Sequence, residues 1–173
     1  MLQIPYSFGI FATVLGWVLV RGWFCLKTTF DWRRELKLLL FLINLLVVVR
    51  FTFYPFAKVD GHVQPLIFEA ATAFPFRVNL VPLVNLLDYD SLSDLIINLI
   101  GNFAMFIPTG IFLPVLFRKD SWKDVFLLGG GMSLAIEILQ LPFAVRASDV
   151  DDLILNTLGC LAGYGLYRLF RRK

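Results

Sequence analysis

Asn98, Asn102, Glu137, Gln140, Arg146, Asp149, Asp151, Asp152 and Asn156 lie in or beside three otherwise apolar runs of this 173-residue chain. Polar groups there are costly unless they face a partner or a wet cavity, so a cluster of them marks a candidate site. Their types allow several chemistries. Asp152 and Asn156 stand at i, i+4, the spacing at which two side-chain oxygens can hold one hard cation, and Glu137 could supply a third. A divalent cation, magnesium or calcium, is therefore one reading. Glu137 and Asp152 could instead work as acid and base, since burial can raise a carboxylic acid's pKa into the working range. Arg146, just ahead of the last apolar run, could grip a phosphate or a carboxylate with its planar fork.

Each reading has a plainer competitor. Asn98, Asn102, Gln140 and Asn156 can cross-link helices through hydrogen bonds worth about 0.6 to 2 kcal/mol each in a membrane. Asp149 and Asp151 can cap the helix that follows them, favoured by its N-terminal dipole. Arg146 can anchor at the headgroups or pair with Asp149. Nucleophilic catalysis lacks its parts: His62 is the sole histidine, and neither Cys25 nor Cys160 has a basic sequence neighbour. The cysteines show no CxxC spacing, which leaves packing as their role. Ser133 and Ser148 have no visible activating partner.

The elements that carry these residues are set by composition. The chain is 58% hydrophobic with a mean hydropathy of +0.76, more apolar than a soluble core of this size could bury. A span needs roughly 20 mostly apolar residues. Such runs occur over Phe8–Leu26, Leu36–Ala57, Leu92–Phe117, Val125–Phe143 and Leu153–Phe170. The expectation is an all-α, polytopic transmembrane bundle of about five spans forming one domain over residues 1–173. The N-terminus has no Lys or Arg before its apolar run, so the first segment is expected to remain as a span.

Lys27, Arg33, Arg34 and Lys37, then Arg118, Lys119 and Lys123, then Arg168, Arg171, Arg172 and Lys173 collect on one side. By the positive-inside rule that side is cytoplasmic, which places the N-terminus outside and the C-terminus inside. The formal charge of +3 is explained by this topology and gives no reason to invoke nucleic acid. Arg21 reads as a snorkelling anchor. The connection Lys58 to Ser91 is too apolar for a free loop and carries Pro65, Pro75 and Pro82, so it is expected to be interfacial or re-entrant, with His62 and Glu69 near the headgroups.

Spacing predicts convergence. Gly130, Ser133, Glu137 and Gln140 share one face of the fourth span. Asp149 and Asp152 lead to Asn156, Gly159 and Gly163 along the fifth, and Asp94, Asn98, Gly101 or Asn102, and Met105 share a face of the third. At about 1.5 Å of rise per residue, Asn98 and Asn156 lie roughly 6 to 9 Å below the outer boundary. Counted the same way from the inner ends of their spans, Glu137 and Arg50 reach about 18 and 20 Å across. Arg50 is accordingly a candidate counter-ion for Glu137 or an aspartate of the cluster.

Three stretches together resemble the VanZ-like membrane protein family: Asn98 to Gly110 (NLIGNFAMFIPTG), Glu137 to Gln140 (EILQ) and Arg146 to Gly159 (RASDVDDLILNTLG). Asn79 to Pro82 (NLVP) adds a fourth. The resemblance covers about Asn79 to Gly163 and implies a bacterial plasma-membrane protein, the namesake being linked to low-level resistance to teicoplanin, a lipid-bearing glycopeptide. It implies no reaction. The reading that follows is a polar pocket in the outer half of the membrane, formed by Arg50, Asn79, Asn98, Asn102, Glu137, Gln140, Arg146, Asp149, Asp152 and Asn156, that engages a membrane lipid or lipid-linked amphiphile. An intramembrane enzyme acting on a lipid phosphate or lipid-linked sugar, and a structural partner of another membrane protein, are the alternatives. Oligomeric state stays open.

Overall fold

The computed structural model describes residues 2–25, 30–55, 58–69, 71, 78–83, 91–144 and 148–171, without the side chains of Cys25 and Asp94. Five helices carry the fold: α1 (Tyr6–Cys25), α2 (Trp32–Phe53), α3 (Leu92–Phe117), α4 (Trp122–Gln140) and α5 (Val150–Arg171). Stretches of four of them, Tyr6–Phe24, Trp32–Phe53, Leu95–Phe117 and Val150–Arg171, are long and apolar enough to cross a membrane. The exception, α4, carries Lys123, Asp124 and Glu137 within 19 residues. Large apolar side chains such as Phe11, Leu19, Leu39, Ile100, Leu139 and Phe170 are exposed, the surface expected of helices solvated by lipid.

Local sequence sets the helix starts. Asp31 caps α2 by accepting from the Arg33 amide at 3.0 Å, and Ser121 caps α4 by accepting from the Asp124 amide at 3.0 Å. Asp149 accepts from the Asp151 amide at 2.9 Å at the start of α5, the capping role that competed with chemistry for this residue. Inside α3, Pro108 and Pro114 withhold two backbone amides, which leaves the Ala104 and Gly110 carbonyls without their i+4 donors.

Helix α5 packs most extensively on α3 and then on α4, while α1 touches the bundle chiefly through α2. The α3–α5 approach is close enough to need glycine. A Cβ added to Gly159 would fall 2.1 Å from the Phe103 carbonyl oxygen, and one added to Gly163 would fall 2.0 Å from that of Ile107. These residues form a small-xxx-small pair, which lets backbones meet where no hydrophobic force between helices exists. Around this seam Val48, Phe106, Leu113, Val125, Ile136, Cys160 and Tyr164 make one buried core. Cys160 packs there as expected.

Among the described residues the connections add six short strands, an addition to the all-α expectation. In chain order these are β1 (Leu2–Ile4), β2 (Lys58–Val59), β3 (His62–Val63), β4 (Leu66–Phe68), β5 (Val78–Asn79) and β6 (Ser148–Asp149). β2 and β3 form a hairpin across Asp60 and Gly61, both with positive φ. β1 pairs antiparallel with β4, and β5 pairs parallel with β6. A further bridge joins Phe68 to Phe143. The connection after α2 is thus laced to the N-terminus and to the turn between α4 and α5, and the bundle has one β-capped end and one basic end. Arg21 is not a lone anchor: its guanidinium pairs with Glu35 at 2.5 Å, joining α1 to α2.

Candidate functional site

Two features meet at Asn98 and Asn102: a cavity between α2 and α3 that extends from Phe51 to Leu40 and Phe112, and a chain of polar contacts from α3 to α5. The cavity has a volume of about 840 Å³ and is walled by apolar side chains, Val47, Phe51 and Met105 among them. Its polar lining is Asn44, Asn98 and Asn102; no charged side chain lines it among the described residues. Gly101 opens part of the wall, for a Cβ there meets nothing within 4 Å. Pro108 and Ala104 both line it.

Asn44 is committed to structure. Its Nδ2 donates to the Met105 carbonyl at 3.0 Å, and its Oδ1 accepts from Thr109 Oγ1 at 2.7 Å. This lock between α2 and α3 was missed in the sequence, although a single amide in the run Leu38 to Val49 is itself the signal of an interhelical bond.

Asn102 differs. Its Nδ2 donates to Asn98 Oδ1 at 3.3 Å, one turn earlier, and to Asp152 Oδ1 on α5. The carboxylate thereby orients the amide. Both Nδ2 protons of Asn102 are spent, whereas Asn102 Oδ1 and Asn98 Nδ2 have no partner among the described residues. One acceptor and one donor group therefore stand together at the edge of an apolar cavity. Such an edge suits a neutral hydrogen-bonding group, an amide or a hydroxyl, joined to a hydrocarbon chain.

Other predicted residues meet in neighbouring sets. Glu137, 4% exposed in the last turn of α4, accepts from the Asp149 amide at 3.0 Å. Asn79 Nδ2 lies 3.4 Å from both Asp149 carboxylate oxygens, and Asp151 accepts from the Leu83 amide at 2.9 Å. Gln140 donates to the Thr52 carbonyl, which ties α4 to α2. Asn156, 1% exposed, donates to Ser133 Oγ at 2.9 Å between α5 and α4. The amide oxygens of Asn156 and Gln140 are buried with no hydrogen-bond partner among the described residues. Asn102 of α3, Ser133, Glu137 and Gln140 of α4 and Asn156 of α5 are buried, yet their bonds are separate.

Arg50 occupies the last turn of α2, where it donates to the Tyr54 and Pro55 carbonyls at 3.3 and 3.1 Å and stands over the Tyr6 and Phe51 rings. The bonds described for Arg50 and Glu137 thus lead to backbone groups. Arg146 lies outside the described residues. For a divalent cation the bonds of Glu137, Asp152 and Asn156 run to three different partners, the last as a donor through Nδ2. No cluster of three His, Cys, Asp or Glu suited to a metal occurs among the described residues.

A family model described as VanZ/LLP1 matches residues 41–171, which leaves β1, α1 and the first turns of α2 outside. Protein VanZ of Enterococcus faecium is 39% identical over 71 residues, covering 41% of this chain and 44% of that protein. The match thus covers less than half of the relative's length. No solved structure matches.

Proposed function

The chain belongs to the VanZ/LLP1 family, and on that basis we propose that it lowers susceptibility to teicoplanin-type glycopeptides by engaging an amphiphile in the α2–α3 cavity. Its occupant is a hydrocarbon chain ending in a neutral hydrogen-bonding group, carried by a lipid, a lipid-linked wall precursor or the antibiotic itself. The observation that carries this reading is the uncommitted Asn98 and Asn102 edge of an otherwise apolar cavity, with Asp152 fixing Asn102 from behind. The concentration of Lys and Arg at the basic end supports a bacterial plasma-membrane orientation with the N-terminus and β-capped end outside and the C-terminus inside, the side on which such drugs act.

Gly101→Leu gives the direct test, because it fills the cavity where a side chain meets no obstacle. In a teicoplanin growth assay the variant should lose protection while reaching the membrane at wild-type level. A comparator glycopeptide without an acyl chain should show little protection in either strain. Full teicoplanin protection by Gly101→Leu would exclude the cavity from the function.

A further inference from the structure

At the opposite end of the bundle, α4 begins beside the last turns of α5. A groove of about 220 Å³ lies between them, lined by Trp122, Gly165, Arg168 and Leu169. Two neighbouring arginines there are treated differently. Arg171 is paired with the Asp120 carboxylate, whereas Arg168 reaches that carboxylate only through the Tyr164 hydroxyl, to which it donates at 3.1 Å and which itself donates to Asp120 at 3.1 Å. No carboxylate pairs with Arg168 among the described residues. One bond leaves most of the guanidinium's five donors unused.

The surroundings fit an anion delivered at a membrane surface. Ser121 caps α4, so the positive end of that helix opens beside Trp122. Trp122 is half exposed and held edge-on to Tyr164 at a ring separation of 4.7 Å, a placement typical of an aromatic at the headgroup level. Gly165 and exposed Leu169 continue the groove along the apolar flank of α5. A Cβ on Gly165 would stand 3.5 Å from the Trp122 ring, so longer side chains would occupy the space.

We propose that this groove is a binding site for an anionic phospholipid, its phosphate paired with Arg168 and its acyl chain lying over Gly165 and Leu169. Charge complementarity selects the occupant: a guanidinium with no carboxylate directly bound to it among the described residues, at a basic membrane boundary, matches a lipid phosphate. The site is independent of the α2–α3 cavity.

The full chain, purified and equilibrated with phosphatidylcholine containing a minority of phosphatidylglycerol, should be examined by native mass spectrometry for retained lipid. Phosphatidylglycerol should be enriched about fivefold over its share, the worth of one juxtamembrane cation at a surface. Arg168→Gln should abolish the enrichment and Arg168→Lys should keep most of it. Gly165→Leu should also abolish it, by filling the groove with the cation in place. Lys119→Gln, which removes a charge from the loop beyond the groove, should leave it unchanged. Equal retention of both lipids, selectivity that survives Arg168→Gln and Gly165→Leu, or an equal loss in Lys119→Gln would overturn the assignment.

Discussion

The amide of Asn102 donates to the carboxylate of Asp152, joining the middle of α3 to the first turn of α5 across fifty residues of sequence. The same amide holds Asn98. A single nitrogen thus sets the rotamers of two side chains at the cavity edge and tethers them to a charge on another helix.

Asn102→Leu and Asp152→Leu should therefore not be additive. In a double-mutant cycle, read by reversible unfolding in mixed micelles, the coupling should be about 0.6 to 2 kcal/mol, the range of hydrogen bonds between membrane helices. A coupling near zero would mean that the two residues act separately.

At the α3–α5 seam, Gly159→Ala should cost about 1 to 3 kcal/mol, as overpacking does elsewhere, because the Phe103 carbonyl cannot yield as a side chain would. Gly131→Ala, whose Cβ meets nothing within 4 Å, should be neutral or slightly stabilising through helix propensity. Thermal unfolding of the two variants in one detergent makes the comparison.

Asn44→Leu removes both bonds that lock α2 to α3, so it should lower stability by about 1 to 3 kcal/mol. Thr109→Val, which keeps shape and loses only the hydroxyl, should cost less. The reverse order, measured by chemical denaturation, would contradict the described geometry.

Exchanging the charges of Arg21 and Glu35 should restore stability lost in either single reversal, since their side chains are mostly buried against each other at 2.5 Å. Folded yield after mild heating is the readout. A double variant no better than the singles would show that these residues anchor separately.

Much of this architecture was legible in the sequence because polar residues in apolar runs declare which face turns inward. The bounds of α3 coincide with Leu92–Phe117, and Ser133, Glu137 and Gln140 are all buried on the predicted face of α4. Which polar group meets which was not legible, because partners depend on helix rotation and crossing that spacing within one helix does not fix. Asn156 meets Ser133, and the Asp149 backbone amide donates to Glu137. The pairing of Leu2–Ile4 with Leu66–Phe68 was hidden for another reason: strands of three residues, more than sixty positions apart, leave no hairpin turn and too little alternation to detect. The cavity is lined by Gly101 and Pro108 of α3 together with residues of α2, a combination visible only once α2 is in place.

The α3–α5 seam also governs how the protein can be made. Gly159 and Gly163 meet α3 only after α4 and half of α5 have followed it in synthesis, so α3 precedes its main neighbour. Of the five helices, α4 is the one too polar to cross by composition alone, and its Ser133 and Glu137 are satisfied by groups at Asn156 and Asp149. The inward-facing polar groups of α4 thus draw on groups that follow in α5 and its approach, and truncation before Asp149 would remove the backbone amide that donates to Glu137 and the Asn156 amide that donates to Ser133.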